Sequence, residues 1–159
     1  MGFLTKSTFT LTAARVPVTD GTTSGSYGTL KLYTFPAGGI NVLSSRQNYT
    51  AFAEGADLTT GAGDAAFVIG LGSVAIAAAA DATLGSSTLV DIGSSISVTD
   101  SSGTGTGTAH KASSMVIDGT TTNATLNLNW SGSAATIDAS SYIDVTGTIT
   151  IIWGWLEDD

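Results

Sequence analysis

The sequence predicts an all-β protein, an antiparallel sandwich or barrel, and three observations predict it. The hydrophobic pattern repeatedly has period two and rarely 3.6. The 26 Thr, 19 Ser and 20 Gly form a strand-and-turn vocabulary, because Thr is β-branched and Gly serves turns. Short apolar segments are spaced by Gly, Ser, Asp and Pro, as in all-β domains.

Taken in order, the first element is "TFTLTA", where Phe9, Leu11 and Ala13 alternate with Thr8, Thr10 and Thr12, a short strand with one buried face. The polar stretch "TDGTTSGSYG" then divides residues 1–19 from the rest and reads as a mobile loop or hinge. Residues 1–20 are therefore expected to be an N-terminal arm or first strand, and 21–159 the β domain. Strand candidates follow at "GTLKLYTF" (28–35), "INVLS" (40–44), "AFVIGLGSVAI" (66–76), "STLVDI" (87–92), "SISVT" (95–99) and "SSMVI" (113–117). In "VAIAAAADATLG" four consecutive alanines favour helix, but the stretch is too short to be stable alone, so a turn of helix or a close-packed strand edge is expected. "TDSSGTGTGTAHK" has almost no apolar residue and reads as a second mobile loop. Asp20-Gly21 and Asp118-Gly119 read as turns, the second linking "SSMVI" to the next strand as a long-looped hairpin. That strand, "ATLNLNWS", sets Ala124, Leu126, Leu128 and Trp130 against Thr125, Asn127, Asn129 and Ser131, the cleanest half-buried pattern in the chain.

The last strand, "VTGTITIIWGWL", carries Val145, Gly147, Ile149, Ile151, Trp153 and Trp155 on one face, expected to be core. The other face begins with Thr146, Thr148 and Thr150 and turns apolar at Ile152 and Leu156. A second layer is expected over that end, either the N-terminal arm or a neighbouring subunit. Phe3, Leu4, Ile152 and Leu156 are accordingly the candidate interface residues.

At 159 residues the chain has the size of one domain. Five Lys and Arg against 13 Asp and Glu give a net charge of −8, which opposes nucleic acid and anionic membranes and suits a basic partner. The charged fraction is only 11%, against about 25% in ordinary soluble domains. With no cysteine, neither disulfides nor thiolate metal sites can hold the fold. "MGFLTKSTFTLTAARVP" alternates where a secretion signal would carry an apolar run, no stretch approaches the ~20 apolar residues of a membrane span, and Lys6 stands where a myristoylation signal wants Ser or Thr.

Catalytic and cofactor chemistry finds little footing. Residues 61–66 ("GAGDAA") and 70–75 ("GLGSVA") match the loose dinucleotide pattern, with Asp81 and Asp91 about 20 residues on, but the pattern needs a strand before it and a helix opening on it. No cofactor or metal is expected. His110 is the single histidine, so any imidazole scheme rests on it; it lies in the glycine-rich stretch, where a solvated loop residue is expected although Ser113, Ser114 and Asp118 are near in sequence. The sequons at Asn48, Asn123 and Asn129 are expected by chance in so Ser- and Thr-rich a chain. Trp130, Trp153 and Trp155 fall on apolar strand faces, which favours core packing over sugar stacking.

"YGTLKLYTFPAGGINVL", "GDAAFVIGLGSVAIAAAADATLGSSTLVDIGSS", "IDGTTTNATLNLNW" and "VTGTITIIWGW" together resemble small virion structural proteins of tailed bacteriophages, of the head-decoration or cement kind, over residues 27–155. The ending "WGWLEDD" is more aromatic than the endings of that family. The resemblance implies a jelly-roll-like β-sandwich on the capsid surface of the virion, made in the host cytoplasm. It also implies the major capsid protein as partner, self-association as a homotrimer, and no catalytic residues. A carbohydrate- or receptor-binding module of a phage fibre is the alternative, and an enzyme using His110 or an acid pair is a third.

Overall fold

The computed structural model describes residues 4–20, 26–54, 67–77, 84, 87–98, 104–132 and 142–156. They form nine strands: β1 (Leu4–Pro17), β2 (Thr19–Asp20), β3 (Ser26–Thr34), β4 (Gly38–Glu54), β5 (Phe67–Gly72), β6 (Gly93–Val98), β7 (Thr104–Gly119), β8 (Thr125–Gly132) and β9 (Tyr142–Leu156). Two antiparallel sheets result, one of four strands in the order β1-β9-β4-β7 and one of five in the order β2-β3-β8-β5-β6. A 3-10 turn, Ser87–Leu89, is the helical element among the described residues. No described helix is long and apolar enough to cross a membrane. The all-β prediction and the two-sheet arrangement agree.

Period two explains the core. Ile143, Val145, Ile149, Ile151 and Trp153 of β9 are buried together with Ile40, Val42, Tyr49 and Ala51 of β4. In the same cluster lie Leu126, Leu128 and Trp130 of β8 and Ile69 and Leu71 of β5, so both sheets contribute to it. At one end Phe9, Tyr33, Phe35 and Trp153 join in an aromatic group. Phe35 stands edge-on to Trp153 at 5.1 Å and to Tyr33 at 5.2 Å, a favoured geometry for ring quadrupoles. The Trp153 Nε1–H donates to Ser7 Oγ at 3.0 Å, which satisfies the one polar group this ring brings inside.

Several expectations are corrected. The loop expected around 100–112 is strand from Thr104 onward: β7 pairs along β4 from Gly38↔Gly119 to Phe52↔Thr104. Its alternating Gly and Thr have period two, and the register sets Gly107 beside buried Tyr49 and Ala109 beside buried Gln47. Small residues there leave room for large ones. Asp118 and Gly119, expected to be a turn, are the last two residues of β7; the bend follows at 120–122 and leads from one sheet to the other, so β7 and β8 are not a hairpin. "STLVDI" is the 3-10 turn followed by bends, not a strand. Ala13 leaves the inward alternation because the β1–β9 register shifts between Leu11 and Ala14; a bulge of this kind adds a residue to one strand, and Ala13 takes φ 45° while Ala14 and Val16 resume the inward face. Residues 4–17 form β1, laid edge to edge along β9 and not over its face. Of the four consecutive alanines, 77–80, the first is described and residues 74–77 are not helical, while residues 78–83 lie outside the described residues.

The largest correction concerns β8, which is buried on both faces. Its polar side chains face not solvent but a covering segment, in which Ile76, Leu84 and Leu89 form a second small cluster with Tyr27, Val68 and Val90. Asn129 uses its full amide capacity: Nδ2 donates to Val74 O at 2.8 Å and Leu89 O at 3.0 Å, and Oδ1 accepts from Thr29 Oγ1 at 2.9 Å and Ile76 N at 3.1 Å. Buried amides that are fully paired stabilise where unpaired ones cost. From the other sheet, Lys111 Nζ donates to Val90 O at 3.1 Å and Asp91 O at 2.6 Å, tying β7 to the same cover.

Candidate interaction surface

Strand register lays out the outer face of the four-stranded sheet as rows running across β1, β9, β4 and β7. One row is Leu4–Gly154–Asn41–Val116, and the next begins Lys6–Ile152–Ser44. Then come Thr8–Thr150–Arg46–His110 and Thr10–Thr148–Asn48–Thr108. Leu156 extends the apolar end, paired with Gly39. Away from its apolar end this face is rich in Thr, with Asn, Ser and cations, as a solvated sheet face should be. Its apolar end is different: Leu4 is 66% exposed, Val116 62% and Leu156 41%, around half-buried Ile152.

Three of the candidate interface residues, Leu4, Ile152 and Leu156, thus share one corner of one face although 148 positions separate Leu4 from Ile152 in the chain. Phe3 lies outside the described residues, as do Glu157, Asp158 and Asp159. Val116 belongs to the same corner and escaped sequence reading, because "SSMVI" presents Met115, Val116 and Ile117 as one apolar run with no sign of which residue points outward.

Trp155 is not core, contrary to the expectation for the tail. It is 45% exposed, whereas Trp153 is buried. The strand outruns its cover: Trp155 pairs with Ile40 at the start of β4 and donates its Nε1–H to Ala37 O at 2.9 Å. The indole lies over Gly38, at φ +115°, where a Cβ would stand 2.5 Å from Trp155 Nε1. Only glycine permits both that backbone and that approach.

Beside the apolar corner, Lys6, Ser44, Arg46, His110, Thr150 and Ile152 line a concavity of about 320 Å³. Lys6, Arg46 and His110 come from three strands, and among the described residues the ion pair is elsewhere, between Arg15 and Asp144 at 3.8 Å. Arg15 also stacks on Tyr142, its guanidinium carbon 3.5 Å from the ring centroid. The chain carries −8, yet the local charge of this concavity is positive. His110 is a strand residue, exposed and paired across the ladder with Arg46. It does not meet Asp118, eight positions along the same strand and so about 26 Å away. The Asp118 carboxylate accepts instead from the Thr120 hydroxyl at 2.7 Å and backbone N–H at 2.9 Å, and these bonds hold its pKa below the ordinary value.

The dinucleotide-like stretch 70–75 is also accounted for. Gly70, Leu71 and Gly72 belong to β5 and lead into bends, and among the described residues no helix opens on them to meet a pyrophosphate. Asp91 does not reach for a ribose: its carboxylate accepts from Ser73 N at 2.8 Å and Ser73 Oγ at 2.5 Å. Residues 61–66 and Asp81 lie outside the described residues. Asn129 is buried with four partners, which leaves no acceptor face for a glycan. No protein family, curated protein or solved structure matches the chain.

Proposed function

We propose that this is a non-enzymatic virion structural protein, a capsid decoration or cement protein that binds the phage head surface and reinforces contacts between capsomers. In this reading its two sheets are a jelly-roll-like sandwich, its partner is the major capsid protein, and copies associate as a trimer on the capsid surface. The observation that carries the reading is the apolar corner of Leu4, Val116, Ile152 and Leu156 on an otherwise Thr-rich sheet face. Exposed apolar residues gathered from distant parts of a chain mark interaction surfaces more often than scattered ones do. Such a protein acts through contact area repeated over a lattice, and many copies compensate for a modest single contact.

The test is binding of the purified protein to empty, expanded shells assembled from the major capsid protein encoded in the same genome. Leu156→Asp is expected to abolish or sharply weaken binding while leaving the melting temperature within a few degrees of wild type, because Leu156 is exposed. If the variant binds normally, this corner is not the docking surface.

A glycan-binding fibre module is the second reading, and half-exposed Trp155 favours it. Binding on a glycan array that disappears with Trp155→Ala would select it over the capsid role.

A further inference from the structure

We propose that the concavity bounded by Lys6, Arg46 and His110 is a carboxylate-binding site that seats an acidic segment of the protein on which this face docks. The inference rests on the docking reading above and adds the chemistry that is recognised.

Charge distribution supports it first. The chain has five Lys and Arg and one His against 13 acids, and half of those six cation-forming side chains line one concavity. Among the described residues none of the three has a carboxylate within ion-pair distance. Like charges gathered on one face repel, and an entering anion converts that repulsion into attraction.

The lining chemistry supports it second. A guanidinium presents a planar fork of N–H donors that fits a carboxylate bidentately, and an ammonium adds three rotatable donors. The Ser44 and Thr150 hydroxyls stand between them in the register, and Ile152 supplies an apolar wall that lowers the local dielectric.

Surroundings decide between a protein carboxylate and a polyphosphate. At about 320 Å³ the concavity has room for one or two carboxylate side chains, and from it the Thr8–Thr150 row leads to Thr10, Thr148, Asn48 and Thr108 and not to further cations. A nucleic acid needs a continuing basic stripe, which the neighbouring rows of this face do not provide. On the other side lie Leu4, Ile152 and Leu156, so the matching ligand carries acids next to a hydrophobic residue. That is a peptide.

The experiment titrates the ¹⁵N-labelled full chain with a capped Leu-Asp-Glu-Asp-Leu peptide, its Asn/Gln analogue, inorganic phosphate and a short DNA duplex. The expected result is saturable amide shifts centred on Lys6, Arg46, His110, Thr150 and Ile152 with the acidic peptide. The Asn/Gln analogue should give none, and the double variant Lys6→Glu/Arg46→Glu should bind at least about tenfold more weakly. Equal shifts with the analogue, stronger binding of phosphate or duplex, or no shifts at all would overturn it. So would self-association abolished by the double variant in the absence of peptide binding, which assigns the site to a second copy. Shell binding separates the two readings. If Leu156→Asp loses the shells while the double variant keeps wild-type affinity and salt dependence, docking stands and the carboxylate site fails. If the peptide binds as expected and the wild type ignores the shells, the site stands and the capsid reading fails.

Discussion

Two tryptophans two positions apart lead opposite lives. Trp153 is wedged between Phe35 and Tyr33 and bonded to Ser7, whereas Trp155 covers a glycine at the rim. Trp153→Ala should therefore lower stability by about 3–5 kcal/mol, the usual result of emptying a large core site. Trp155→Ala should cost about 1 kcal/mol, the net value of its one hydrogen bond to Ala37 O, and denaturant unfolding of both variants checks the contrast. Buried Tyr49 makes a pH prediction. Its hydroxyl donates to Gln47 Oε1 at 2.9 Å, and Gln47 Nε2 donates to Ser94 O at 2.7 Å, which joins the two sheets. Burial raises the Tyr49 pKa far above its ordinary 10.0, so above pH 10 the unfolded chain releases a proton that the native one retains. Stability is complete below about pH 10 and falls as pH rises. In Tyr49→Phe the melting temperature should fall less steeply between pH 9 and 11 than in the wild type. The alternation along β9 was legible to the residue, down to the turn from Thr to Ile152. What the pattern could not convey is where cover stops, since that depends on how far the opposite layer extends.

At the scale of elements, β8 shows how a polar period can mislead. Thr125, Asn127, Asn129 and Ser131 alternate as a solvated face would, yet all but Thr125 are buried, because amide and hydroxyl groups can bond the backbone of a covering segment as well as water. Its placement depends on glycine. A Cβ at Gly72 would run into the Leu89 backbone and stand 2.6 Å from Thr88 O, so Gly72→Ala should push the 3-10 turn off β5. Over-packing of this kind costs about 1–3 kcal/mol. Hydrogen exchange should show amides of 88–92 losing protection before those of β9; equal loss in both would mean that the cover and the sheet unfold together. Strand β7 misleads in the other direction: glycine and threonine look like a loop by composition, while their alternation, and the 17-residue β4 that needs a partner, make a strand. Composition predicted the elements where apolar residues alternate and failed where the inward residue is Gly or Ala.

Over the whole molecule the charge and the topology govern behaviour. With −8 overall and its cations confined to one concavity and scattered sites, the protein should release DNA at about 200 mM salt; a gel shift that persists there would contradict the charge reading. The interaction corner was legible only in part. Ile152 and Leu156 declared themselves on the last strand, but Val116 and the cations Lys6, Arg46 and His110 meet only through pairing between strands remote in sequence. The same pairing has a temporal consequence. Strand β9 lies between β1 and β4 in the four-stranded sheet, yet it is the last of the nine to leave the ribosome. Until it emerges, β1 has no neighbour in its sheet and β4 has one free edge. Contacts of such long sequence separation form slowly, and unpaired edges are open to wrong partners in the meantime. During synthesis the facing backbone edges of β1 and β4 must stay unpaired with each other, whatever the second sheet already covers, until the strand that belongs between them arrives.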